Sequence, residues 1–272
     1  MANFHSNKWI MEKLQEHYIE ALQLYPQDRI VGVFLHGSAN YDLDTENSDV
    51  DTKLILTPSW EEICFNKQPI STTHVRANNE HIDAKDIRLM FTTFRKQNLN
   101  FVEILFTRYK ILNPLYEDLW NFLINFNEEI ARYSPYAAVK TMKGIAMEKY
   151  HALQHEYPSK LEVLAKYSYD PKQLHHLLRV QEFLERYEKG EKYKDCLISK
   201  TSEELKEIKE GKYNWEEAKP LAEKTIEKVI KQADLFCENN SKEVNPQVDN
   251  ILDGIQEAIM KRAIQTQFEK GE

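Results

Sequence analysis

Residues 30–56 read IVGVFLHGSANYDLDTENSDVDTKLIL, and the fold follows from how this stretch divides. Residues 29–35 are mostly β-branched, aromatic or leucine, side chains that suit a pleated, half-buried surface, and the run stops at Gly37-Ser38. A polar loop over residues 40–48 follows, and a second β-rich run over residues 49–56 resumes the pattern. The stretch therefore reads strand, turn, short helical piece, strand.

Upstream, Ile10, Leu14, Ile19 and Leu22 recur near helical spacing and Pro26 closes the run, which predicts an opening helix over residues 9–24. Downstream, Pro58-Ser59-Trp60 starts a short helix, and residues 71–76 and 80–84 read as further strands. Asp86 stands where a helix bearing Ile87, Met90, Phe91 and Phe94 needs a cap, and residues 101–106 form a last compact apolar element. Past Asn113-Pro114, amphipathic patterns run to the C-terminus: residues 115–125, 135–156, 171–188, 202–210, 216–238 and 244–268. The expectation is an α+β chain, with a mixed sheet and its helices in residues 1–112 and an all-helical domain in residues 113–272. The charged stretch over residues 185–194 carries both signs and reads as a solvated helix end.

Composition narrows the function classes. The 272 residues carry 36 Lys and Arg against 44 Asp and Glu, a net charge of −8, so generic polyanion binding is disfavoured and any nucleic acid contact has to be local. Cys64, Cys196 and Cys237 are odd in number and have no paired ligand spacing, which argues against a disulfide framework or a zinc ribbon and for a reducing compartment. Met1 to Trp9 lacks the pattern of an export signal, and the apolar runs are too short to span a bilayer. A cytoplasmic protein without membrane insertion is expected.

Two features carry chemistry. Gly37 allows a sharp turn and close approach of backbone amides to a ligand, and Ser38 adds a hydroxyl donor suited to a phosphate oxygen; alone, a Gly-Ser pair is equally how an ordinary turn is written. Ten residues after Ser38 begins Ser48-Asp49-Val50-Asp51. On a strand, Asp49 and Asp51 would share one face, and two adjacent carboxylates repel unless a cation intervenes; oxygen ligands suit Mg²⁺ or Mn²⁺. A third group lies on the helix predicted from Pro171, where Lys172, His176 and Arg179 are spaced by four and three and share a face able to grip a triphosphate. The same three also read as ordinary surface charge.

Taken in order, strand, Gly37-Ser38 turn, ten-residue interval and Asp49-x-Asp51 strand, the segment resembles the signature of the DNA polymerase beta-like nucleotidyltransferase superfamily. Asp86-Ile87-Arg88, Asn98, Phe101-Val102-Glu103-Ile104-Leu105-Phe106 and Tyr169-Asp170-Pro171-Lys172 with His176 and Arg179 look like one branch of it, the RNA repair pathway polymerase beta-like proteins. The likeness touches roughly residues 30–190; residues 191–272 are unmatched. It implies a palm-like catalytic domain with the nucleotide in a cleft closed by the helical domain, and a third carboxylate on a neighbouring strand. Asp83 fits that role, with Asp86 as the competitor better suited to capping. By the resemblance Asp49, Asp51 and Asp83 are catalytic and hold Mg²⁺ or Mn²⁺, while Gly37, Ser38, Lys172, His176 and Arg179 bind a nucleoside triphosphate such as ATP. The activity implied is transfer of an NMP or dNMP to a hydroxyl, with RNA, a single-stranded end or a growing oligonucleotide as acceptor. A protein acceptor, a nucleotide signal in phage defence, or a catalytically silent binding or antitoxin-like module on the same fold are the alternatives.

Overall fold

The computed structural model describes residues 3–271. The chain forms two compact units, one made of the residues up to Tyr133 together with those from Val244 on, the other of Ser134–Glu243. The change of pattern expected near residue 112 marks only the end of the sheet. The units divide at 133/134 and 243/244 because the next two helices and the C-terminal helix belong with the sheet.

In the first unit, α1 (Asn7–Leu24) is capped by Ser6, whose side chain accepts from the Trp9 N–H, and it buries Ile10, Leu14, His17 and Ala21 along one stripe. The chain continues as β1 (Ile30–His36), β2 (Asp51–Leu56), α2 (Trp60–Cys64), β3 (Ser71–Val75), β4 (His81–Asp86), α3 (Ile87–Arg95), α4 (Leu99–Val102), β5 (Lys110–Leu112), α5 (Glu117–Ile124) and α6 (Asn127–Ala131). The five strands form a mixed sheet in the order β3-β4-β2-β1-β5, antiparallel except for the β2/β4 pair. Alternation sets its two faces. Val33, Leu54, Leu56, Ile82 and Ala84 pack with Ala21 of α1 on one side. His36, Asp51, Lys53, Asp83 and Lys85 share the other, since His36 pairs with Asp51 and Lys53 with Asp83. The chain is thus α+β, as its sequence pattern indicates.

The second unit consists of α7 (Pro135–His151), α8 (Leu161–Tyr167), α9 (Pro171–Glu188), α10 (Tyr193–Leu197), α11 (Ser202–Lys209) and α12 (Trp215–Asn239). Its centre is α9, begun by Asp170 as cap and Pro171 in the first turn, which buries Leu174, His175, Leu177, Val180, Phe183, Leu184 and Tyr187 against α7, α11 and α12. Arg186, in the stretch expected to be solvated, is buried instead: it donates to the carbonyls of Ile198 and Asp195 at 2.6 and 2.7 Å and pairs with Glu191 at 2.8 Å. The last helix, α13 (Pro246–Lys270), returns to the first unit. There it buries Val248, Leu252, Ile255, Ile259 and Ala263, each large aliphatic side chain contributing roughly 1.5–3 kcal/mol when fully buried.

Several assignments differ from the sequence expectation. The second strand begins at Asp51 rather than residue 49, because its partner β1 ends at His36 opposite Asp51 and the ladder has nothing further to pair with. The strand Lys110–Leu112 and the helices Asn127–Ala131, Leu161–Tyr167 and Tyr193–Leu197 were not anticipated, being three to seven residues long and too short to show a period. The helix predicted over residues 135–156 stops at His151.

Candidate functional site

Gly37 ends β1 with φ +100 and ψ −158, a backbone region essentially restricted to glycine, and a Cβ there would meet no atom within 4 Å. The turn is therefore dictated by the backbone and opens onto free space. Ser38–Asn40 form one 3₁₀ turn, and the Asn40 side chain donates to the Leu35 carbonyl at 2.8 Å, tying the turn to the strand it leaves. At the far end of the loop the Ser48 hydroxyl accepts from the Thr45 N–H at 2.9 Å and lies 3.5 Å from the Ser38 hydroxyl. That contact brings the Gly-Ser turn beside the start of the aspartate motif.

The aspartates are not equivalent. Asp49 is exposed in the loop, and among the described residues its carboxylate has no protein partner. Asp51, on β2, accepts from the His81 N–H at 2.8 Å and contacts the His81 ring at 3.0 Å, both through Oδ1, which leaves Oδ2 open. Asp83, on β4, is ion-paired to Lys53 across the parallel β2/β4 register at 2.5 Å and accepts from Thr73 at 3.5 Å. Asp86, the rival third carboxylate, is buried, accepts from the Arg88 N–H as the cap of α3 and pairs with the Arg88 side chain at 2.7 Å. It has a structural role.

Among the described residues no group of three or more His, Cys, Asp or Glu side chains is arranged to hold a metal ion. Asp49, Asp51 and Asp83, expected as a ligand triad, do not form such a group here, and Asp83 is paired with Lys53. What remains still fits a hard divalent cation: one partnerless carboxylate and one with a free oxygen, the kind of set Mg²⁺ takes together with phosphate oxygens.

Around Asp51 the same sheet face carries side chains that sequence reasoning did not nominate. Lys53 and Lys85 both sit on the ring of Phe101, at 4.2 and 4.5 Å from its centroid. Burial pushes the Lys85 ammonium below the ordinary lysine range, Asp83 pulls it back up and Lys53 pushes it further down. His36, opposite Asp51, is hydrogen-bonded through Nδ1 to the buried carboxylate of Glu103. Phe101 and Glu103 both come from the apolar segment after α3, and Asn98 caps α4 by accepting from the Asn100 N–H at 3.1 Å. The available signal was the polar interruption of that apolar segment by Glu103. On the opposite face, His17 is fully buried and bridges Thr52 at 2.9 Å and Glu80 at 3.1 Å; burial pushes its imidazole below the usual range against the opposing hydrogen bond to Glu80.

Lys172, His176 and Arg179 belong to the second unit. Lys172 is exposed, while His176 and Arg179 are partly buried, so the stripe grades from solvent inward. Burial, followed by the adjacent His175, Lys172, Arg179 and Lys149, holds the His176 imidazole well below its ordinary pKa. No helix among the described residues is long and apolar enough to cross a membrane. The three cysteines are free thiols. Comparison with models of known protein families gives no match, and no curated protein matches the chain.

Proposed function

We propose that the chain is a metal-dependent nucleotidyltransferase that moves an NMP or dNMP from a nucleoside triphosphate to a hydroxyl acceptor, with a nucleic acid 3′ end or growing oligonucleotide as that acceptor. The observation that carries this reading is the 3.5 Å approach of Ser38 and Ser48, which sets a glycine-built turn next to Asp49 and Asp51. An open turn with a hydroxyl suits phosphate oxygens, and the neighbouring carboxylates suit the cation that accompanies them.

In this reading Gly37 and Ser38 orient the phosphates, while Asp49 and Asp51 hold Mg²⁺ or Mn²⁺. When bound, the ion neutralises phosphate charge and favours an in-line displacement. A bond forms between the acceptor oxygen and the α-phosphorus, the bond to the β,γ-phosphates breaks, pyrophosphate leaves and the hydroxyl proton passes to a site carboxylate or water. Asp83, held by Lys53, supplies charge and position rather than a free base.

That ion pair also favours a second reading, a catalytically silent nucleotide-binding module on the same fold. One experiment separates them: each α-labelled NTP and dNTP is incubated with the protein and Mg²⁺ or Mn²⁺, with and without RNA, beside Asp49→Ala and Asp51→Ala variants. Metal-dependent label that disappears in the variants supports transfer, and its place on RNA, free oligomer or polypeptide identifies the acceptor. Nucleotide and metal binding without pyrophosphate release supports the silent module.

A further inference from the structure

The logic that asks for a cation between two carboxylates applies with the sign reversed a few ångströms along the same sheet face. Lys53 and Lys85 are gathered on one aromatic ring, at 4.2 and 4.5 Å from the Phe101 centroid. Two ammonium groups brought together in this way repel one another unless anions offset them. Asp83 pairs directly with one, at 2.5 Å from Lys53, whose side chain is 9% exposed, and acts on Lys85 only through space. The Lys85 ammonium donates to no such partner: among the described residues it makes no hydrogen bond or ion pair, although it is only partly exposed. A desolvated ammonium with three open donors, beside a second lysine fixed by a carboxylate, is a receptor for an oxyanion.

We propose that Lys53 and Lys85, gathered on Phe101 beside Asp51, form a phosphate subsite, with Asp83 positioning Lys53 rather than ligating a metal. The subsite stands on geometry alone; its use for the phosphates of a nucleotide or of an acceptor strand rests on the nucleotidyltransferase reading. Asp83 acts through Lys53, which is aligned with it by the parallel pairing of β2 and β4. The ring of Phe101 fixes the height of both ammonium groups above the sheet.

The test is titration of the full chain with inorganic tripolyphosphate in EDTA, read by calorimetry, with a dinucleoside monophosphate as a parallel arm. Saturable binding of either probe that weakens at least tenfold in Lys85→Met supports the subsite, and the arm that responds tells a nucleotide tail from a strand phosphate. Equal binding by Lys85→Met, or no binding of either probe to the native chain, overturns it. Lys85 is the deciding position because it makes no protein hydrogen bond, so its variant retains the fold; thermal melts check this. Asp83 is tested by Mn²⁺ binding read by electron paramagnetic resonance. Asp83→Asn is expected to keep Mn²⁺ affinity within twofold while weakening tripolyphosphate, whereas Asp49→Asn loses Mn²⁺ and keeps tripolyphosphate. Equal loss of Mn²⁺ in both variants would make Asp83 a ligand and overturn its positioning role. Absence of nucleotidyl transfer alongside Lys85-dependent phosphate binding would sink the activity and leave the subsite standing.

Discussion

The hydroxyls of Ser38 and Ser48 lie 3.5 Å apart although ten residues of loop separate them, and the two serines are loaded differently. Ser48 also accepts the Thr45 N–H at 2.9 Å in a buried setting, whereas the Ser38 contact is at the outer limit of a hydrogen bond. Ser48→Ala should therefore cost about 1–3 kcal/mol by leaving a buried donor unpaired. Ser38→Ala should leave stability within about 0.5 kcal/mol and lower kcat/KM for labelled transfer by tenfold or more. Urea unfolding and single-turnover labelling measure the two; loss of stability without loss of activity at Ser38 would remove it from the site.

Gly37 isolates a purely conformational cost. Because an added Cβ meets nothing within 4 Å, Gly37→Ala introduces no clash and should destabilise by about 1–3 kcal/mol through its backbone angles alone. Chemical denaturation reads this, and a variant as stable as the native chain would show that the turn relaxes to another conformation.

Asp49 and Asp51 should separate in stability and agree in activity. Asp49 has no partner, so Asp49→Ala is expected within about 0.5 kcal/mol of the native chain. Asp51→Ala deprives the His81 N–H of its acceptor and should cost about 1 kcal/mol. Relief of repulsion between two strand carboxylates is not expected, because only Asp51 is on the strand. Both variants should lose metal-dependent label; retention of full activity in both would refute the proposed function.

His175 gives the helical unit a pH dependence. Burial pushes its imidazole down to about 4 from 6.5, with its Nδ1 2.8 Å from the Leu205 carbonyl. The unfolded chain takes up the proton first, so this stabilisation is complete above pH 6.5 and is lost as pH falls from there towards 4, by roughly 3 kcal/mol in total. Proton NMR should find this imidazole still neutral at pH 5. Urea unfolding of His175→Gln should show a shallower loss of stability between pH 6.5 and 4 than the native chain.

The strand, the Gly37 turn and the helix starts were legible because each depends on local chemistry: β-branched residues before Gly37, Asp86 ahead of an apolar helix face, Pro171 in a first turn. What was not legible depends on pairing between distant segments. Lys53 meets Asp83 only because β2 and β4 run parallel in that register, and Lys85 meets Phe101 only because α4 lies over that face. Asp49 and Asp51 are spaced as on one strand, yet only Asp51 lies on it, because the strand's start is set by where β1 ends. Arg186 reads as one charge among many, and its burial depends on two carbonyls from a segment folded back upon it.

The first unit is completed by α13, which follows the helical unit in sequence. Leu252 and Ile259 of α13 are fully buried there, Arg262 of the same helix pairs with Asp118, and Gln267 accepts from the Trp60 N–H at 2.8 Å. During synthesis the intervening helical unit is complete before those residues exist. Helices α3 and α5, against which α13 packs, must then wait with apolar side chains uncovered, a state in which chaperones bind and aggregation begins. Damage to α13 would register as failed maturation of a site formed some two hundred residues earlier.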